Sequence, residues 1–271
     1  MSQPNPQAEL VTVEHTGAVA VLRLNQPERL NPLSLPLQER LRERLQELAR
    51  DTSVRALVIT GAGKAFCVGA DLTSMQPPVQ GQSLGEQTCE IMLKLSNRLV
   101  EDLRALPFPV VSALNGPCAG AGVGLALAAD LVVAAQSAYF FLSFMPRLGI
   151  VPDLGSTWFL ERFVGRPRAV AMSLLGDRIS AQQAHSWGLI WSCVDDAELM
   201  PQAMALAQRL SQLPAHAAQE IRQAFDSAAQ QDLGTQLQYE ARRQRELIDK
   251  PEFQEGVNAF LQKREPRFPS R

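Results

Sequence analysis

The sequence is poor in the residues that build metal centres and disulfide frameworks. It has four cysteines, Cys67, Cys89, Cys118 and Cys193, in 271 residues. None forms a CxxC pair, which argues against a structural zinc site or a disulfide framework and for reduced thiols. Histidine is scarcer still. His15, His185 and His216 sit in unrelated contexts, and no Ser–His–Asp set is visible. Charge of one sign is also missing: the net charge is -2, without the basic excess of a nucleic-acid binder. No apolar run is long enough for a membrane span. The opening MSQPNPQAEL lacks the basic-then-apolar pattern of a secretory leader. These absences predict a cytoplasmic protein with neither a nucleic-acid nor a membrane partner.

Two familiar glycine motifs are absent as well. "GAGK" at 61–64 lacks the GK[ST] ending of a phosphate loop. The glycines at 120, 122 and 124 are spaced GxGxG rather than GxGxxG, and Asp130 follows too soon to bind a ribose.

What is present is a large apolar fraction, 46%, enough for a sizeable core. "AELVTVEH" and "AVAVLRLN" read as a hairpin. Leucines at 37, 41, 45 and 48 have helical spacing. "VRALVITG" reads as a buried strand, and "TSMQPPVQGQSLGEQ" as a mobile loop. "CEIMLKLSNRLVEDLRAL" reads as a second amphipathic helix, "PFPVVSALNG" as a strand, "AGAGVGLALAAD" as a helix and "LVVAAQSAYFFL" as one strand. "SAQQAHSWGL" predicts a short helix capped by Ser180 and closed near Gly188, followed by a last strand, "IWSCVDD". From residue 197 the pattern is helical, interrupted near Pro214 and Pro251. Strand–helix alternation followed by a helical tail suggests an α/β core with an assembly module.

Asp153 is the one ionisable side chain in "LGIVPDLGSTW", residues 148–158. It precedes a helical run, where aspartate is a natural N-cap. It is also a carboxylate among apolar neighbours, Ile150, Val151 and Leu154, where desolvation would raise its basicity. Both readings are open on the local sequence.

That stretch, together with "GKAFCVGADL" and "NGPCAGAGVGLALAAD", resembles the crotonase, or enoyl-CoA hydratase/isomerase, superfamily. The resemblance runs from "LRLNQPERLNPLS" to "VNAFLQKREPRF". It implies an α/β fold, the crotonase-like spiral of ββα units, with two roughly perpendicular sheets. The spiral core would occupy residues 1–200 and a C-terminal helical trimerisation region residues 201–271. The implied substrate is an acyl-CoA thioester. Coenzyme A is then part of the substrate, no separate cofactor or metal is expected, and the assembly would be a homotrimer or homohexamer.

By position, the resemblance assigns the backbone N–H groups of Ala70 and Ala121 to an oxyanion hole for a thioester enolate. Ala65, Val68, Gly69, Asp71 and Gly120 would flank the substrate, with the Val68 backbone facing the adenine. Arg29 would lie near the CoA phosphates, and Trp158 in the acyl pocket. Phe260 and Lys263 match adenine and phosphate contacts made from a neighbouring subunit. Thr73 stands where relatives often carry a lysine.

Hydratases of the superfamily carry two glutamates, which would fall at Gly124 and Met145; their absence implies weak or no hydratase activity. Asp153 falls where the isomerases place a single carboxylate. The second half resembles in particular those isomerases that act on a ring-epoxidised phenylacetyl thioester and also shift enoyl double bonds. Two rival readings are a dehalogenase-like use of Asp153 as nucleophile and a non-catalytic acyl-CoA-binding subunit. The acyl pocket wall is expected from residues 73–90.

Overall fold

Repeated strand–helix alternation builds a mostly parallel sheet whose central strands are buried on both faces. The computed structural model describes residues 9–74 and 81–269. The hairpin forms as expected: β1 (Val11–Thr16) pairs antiparallel with β2 (Val19–Leu24). β3 (Ala56–Gly61), β4 (Val110–Leu114), β6 (Leu131–Ala135) and β9 (Ser192–Val194) add in parallel, in the order β1-β2-β3-β4-β6-β9. A second sheet of three short strands has the order β5-β7-β8, from β5 (Cys118–Ala119), β7 (Tyr139–Phe141) and β8 (Arg178–Ser180).

The two faces of the larger sheet bury different partners, as the two-residue period of a strand requires. Leu57 and Ile59 point into the main core with Leu22 and Leu24 and with Leu37, Leu41 and Leu45 of α1 (Leu35–Arg50). Ala56, Val58, Val111 and Ala113 face Leu199, Ala203 and Ala207 of α7 (Leu199–Leu210). α1 ends at Asp51, whose carboxylate accepts from the N–H and Oγ of Ser53 at 2.9 and 2.6 Å.

Three local expectations change. "LVVAAQSAYFFL" is not one strand, because the polar pair Gln136–Ser137 turns the chain out of β6 and sends β7 into the other sheet. The second helix begins before Cys89. Ser83 and Glu86 form a reciprocal capping box that opens α2 (Leu84–Ile91), so residues 84–87 are helical rather than loop; residues 75–80 of the expected loop lie outside the described residues. A π-helical turn (Met92–Ser96) then joins α2 to α3 (Asn97–Ala105). The C-terminal helices, α8 (Ala217–Ala228), α9 (Leu233–Ile248) and α10 (Pro251–Leu261), break at residues 229–232 as well as near the two prolines.

The remaining helices are α4 (Ala121–Leu127), α5 (Ser156–Leu175) and α6 (Ala181–Ser186), the last capped by Ser180 as expected. Arg222 ties α8 to the core. Its guanidinium holds both Asp130 oxygens at 2.6 Å and donates to the carbonyls of Arg104, Leu106 and Phe108. No helix among the described residues is long and apolar enough to cross a membrane.

Candidate active site

The loop after β3 and the start of α4 meet at a glycine. Gly69 has φ +90°, and a Cβ there would lie 2.9 Å from the Ala119 carbonyl oxygen and 3.1 Å from the Ala121 nitrogen. Only a residue without a side chain lets the two segments touch. The junction is cross-linked by the Leu33 N–H donating to the Gly69 carbonyl, Ala119 N–H to Cys67 and Gly120 N–H to Phe141, all at 2.8–2.9 Å. Two side-chain amides, one buried and one half-buried, fix the approach to it. Asn31 accepts from the Gln26 N–H and donates to the Ala62 and Ala65 carbonyls; Asn115 accepts from Gly61 and donates to Gly63 and Ala65. The Ala65 carbonyl is therefore engaged by two side chains.

Beside this junction, the N–H groups of Ala70 and Ala121 have no acceptor among the described residues. Ala121 opens α4, whose first N–H groups lack intrahelical partners. Both alanines line one cavity of about 200 Å³, and Asp153 lines it too.

Asp153 is not a helix cap. Gly155 holds the N-cap position of α5, and the chain enters it through two left-handed residues, Leu154 (φ +47°) and Gly155 (φ +75°). The Asp153 backbone carbonyl accepts from the Ser156 N–H at 2.9 Å, which leaves the side chain uncommitted. Its Oδ1 is buried without a hydrogen-bond partner, and no ion pair reaches the carboxylate among the described residues. Burial pushes its pKa up to about 6, opposed weakly by its own backbone N–H.

The turn sits against α4. A Cβ at Gly124 would lie 2.2 Å from the Leu154 carbonyl oxygen and 2.9 Å from the Leu154 Cβ. Gly124, where the resemblance expects a hydratase's first glutamate, thus has no room for a side chain. Met145 is exposed and lies on a different surface hollow together with Val151. Of the apolar neighbours expected around Asp153, Ile150 and Leu154 line the cavity and Val151 faces away.

Asp71 lies on the same cavity in opposite circumstances. It accepts from Arg29 Nη2 at 2.8 Å and from the hydroxyl and N–H of Thr73 at 2.7 and 3.2 Å. Burial alone raises its pKa, but the Thr73 and Arg29 bonds outweigh it, and the net shift is downward. Arg29 also donates to Thr73 at 2.8 Å. Gly120 is buried at the junction and Val68 is half-buried beside it.

The structure does not bring Trp158, Phe260 or Lys263 to the cavity. Trp158 lies under the Arg162 guanidinium, 3.9 Å from its ring centre, with Arg104 at 5.2 Å. Phe260 is 83% exposed on α10, where it borders an apolar groove with Phe253 and Phe268. Lys263 follows that helix with φ +52°. Sequence reasoning missed Gln38, Gln87, Thr88 and Ser96 on the cavity wall. The capping signal "SLGE" could have placed α2, and with it Gln87 and Thr88.

Residues 14–271 match the enoyl-CoA hydratase/isomerase family model. The chain is 44% identical to the 1,2-epoxyphenylacetyl-CoA isomerase of Escherichia coli (strain K12), over 92% of this chain and 94% of that protein. It is 39% identical to a "probable enoyl-CoA hydratase" of Rhodobacter capsulatus, over 96% and 98%. Among solved structures, the enoyl-CoA hydratase of Bacillus anthracis superposes with a TM-score of 0.86 at 32% identity, covering 96% of this chain and 99% of that one.

Proposed function

Because the chain belongs to the enoyl-CoA hydratase/isomerase family and has its crotonase fold, we propose that it is an acyl-CoA isomerase with one acid/base carboxylate, Asp153. The observation that carries this reading is the pairing in one cavity of two free backbone N–H groups with a single unpaired, desolvated carboxylate.

The thioester oxygen accepts from the Ala70 and Ala121 N–H groups. As the α-proton leaves, negative charge grows on that oxygen, and fixed donors stabilise it; each such donor is worth about 100–1000-fold in rate. Asp153 takes the α-proton and, now neutral, returns it to the γ-carbon of the dienolate, which moves the double bond. Its raised pKa makes it a stronger base and keeps the protonated form accessible near neutral pH. Coenzyme A is part of the substrate in this reading, and no separate cofactor takes part.

For the acyl group, we favour a ring-1,2-epoxyphenylacetyl thioester isomerised to its oxepin, along with shifts of 3-enoyl double bonds. Two observations support an aromatic ring: the similarity to the E. coli isomerase, and a cavity of about 200 Å³, comparable to the ~150 Å³ cavity that accommodates benzene. Hydration needs a second carboxylate to activate water, and Gly124 and Met145 supply none. We further read the exposed apolar side chains of α8–α10 as contacts of a homotrimer or homohexamer in the cytoplasm. Phe260 and Lys263 would there reach the CoA of a neighbouring subunit.

The test is deuterium exchange in heavy water with 3-enoyl-CoA and phenylacetyl-type CoA esters. Label should enter the α- and γ-carbons of the enoyl ester and depend on Asp153. Normal isomerisation by a folded Asp153→Asn enzyme, or rapid hydration of crotonyl-CoA, would overturn the assignment.

A further inference from the structure

The polar groups on the cavity wall divide into those that are engaged and those that are not. Ser96 donates to Gln38 Oε1 at 2.7 Å, and Gln38 Nε2 donates to the Leu33 carbonyl at 2.8 Å. Asp71 is held by Arg29 and Thr73. Apart from Asp153, two adjacent residues of α2 remain. Gln87 Oε1 is buried with no hydrogen-bond partner, and neither Gln87 Nε2 nor the Thr88 hydroxyl is bonded to another described residue. Around them the wall is apolar, with Leu33, Leu35, Leu84 and Ile91.

A buried, unpaired amide oxygen is unfavourable, and a site that handled only hydrocarbon would be better lined by another leucine. An unpartnered amide next to an unpartnered hydroxyl offers donors and acceptors together. We propose that Gln87 and Thr88 form a polar subsite for an oxygen atom carried on the acyl group. This rests on the acyl-CoA reading above and deepens it: the preferred substrate class is an oxygen-bearing acyl thioester, its oxygen an epoxide, hydroxyl or carbonyl. Gln87 Nε2 and the Thr88 hydroxyl donate to that oxygen, and Gln87 Oε1 accepts when it carries a proton. A site built to hydrogen-bond a ligand oxygen discriminates against the analogue without it, because its own polar groups are then left unpaired.

The test measures binding without turnover. Titration calorimetry on the full chain compares phenylacetyl-CoA with its ring-hydroxylated analogue, 2-hydroxyphenylacetyl-CoA. The wild type should bind the hydroxylated ester about tenfold more tightly, the equivalent of one net hydrogen bond. Gln87→Met should abolish that preference while leaving phenylacetyl-CoA affinity within about threefold, and Thr88→Val, a second and smaller change, should reduce it. Equal wild-type affinities, or variants that weaken both esters alike, would overturn the subsite. The isomerase reading stands or falls separately on Asp153-dependent exchange: a preference without exchange sinks that reading and leaves the subsite intact.

Discussion

Two aspartates line the same cavity and are held in opposite ways. Asp71 is clasped by Arg29 and Thr73, and its pKa is lowered; Asp153 is half-buried, its Oδ1 buried without a partner, and its pKa is raised to about 6. Environments that push two carboxylates apart in this way separate the structural group from the chemical one. Asp71 stays charged and fastens the loop that carries Ala70. In the proposed reading, Asp153 is kept poised to exchange a proton. The sharpest way to break the comparison is to neutralise each in turn. Asp153→Asn should lower kcat for isomerisation by about 100–10,000-fold, the usual range for a lost general base. Asp71→Asn should leave kcat within about tenfold, because it acts on loop position alone. Steady-state kinetics on the two variants would decide it, and comparable losses would erase the distinction.

The next largest effect concerns where the Asp153 turn rests. With the Leu154 carbonyl 2.2 Å from any Cβ at position 124, Gly124→Ala must push the turn outward. A shift of about 1 Å in a reacting group can cost ~100-fold, so kcat should fall by about 10–100-fold with KM little changed. Overpacking should cost stability by about 1–3 kcal/mol, visible in urea denaturation. Gly124→Glu should not create a hydratase, because the added carboxylate and the present turn cannot occupy the same space.

Much of this contrast was legible in the chain, and the reasons it stopped where it did are physical. Asp153 and Gly124 stood out through the family resemblance of the motifs around them. The strands β3 and β4 stood out because valine and isoleucine runs bounded by glycine or proline have few other structures open to them. The cap reading of Asp153 failed at Leu154, a leucine in the left-handed region; only tertiary packing against Gly124 holds it there. Trp158 was misplaced because a position near a motif does not say which face of α5 it occupies. The split of residues 131–142 between two sheets depends on which strands are free to pair. Gln87 and Thr88 look like ordinary polar helix residues until the cavity they face is seen.

A third measurement tests the raised pKa itself. If the Asp153 carboxylate must be ionised to take the α-proton, kcat/KM should rise with pH and level off above about 6. Stability should move the other way. The folded-state pKa lies above the unfolded one, so between about pH 4 and 6 the native state holds a proton that the unfolded chain has lost. Folding is therefore weakened as pH rises through that window, and the penalty is complete above it. Asp153→Asn removes the charge and should be more stable than wild type at pH 7, on the order of 2 kcal/mol, with the gap closing toward pH 4. A variant less stable than wild type at pH 7 would show that the carboxylate is favourably solvated after all.

The smallest effect belongs to Asp71, and its sign is the mirror image. Here the folded pKa is lowered, so the pairing contributes stability above the unfolded pKa and loses it as pH falls through the folded one. Arg29 is partly exposed, 39% for its side chain, so solvent screens the pair, and Arg29→Gln should cost about 1 kcal/mol or less at pH 7. That cost should shrink in acid and in high salt. The kinetic signature also differs from that of Asp153. Because Arg29 and Thr73 hold Asp71 and the loop beside Ala70, the variant should raise KM a few-fold while the pH at which kcat/KM levels off stays near 6. Movement of that pH in Arg29→Gln would mean that the two aspartates sense one another across the cavity and are a coupled pair rather than opposites.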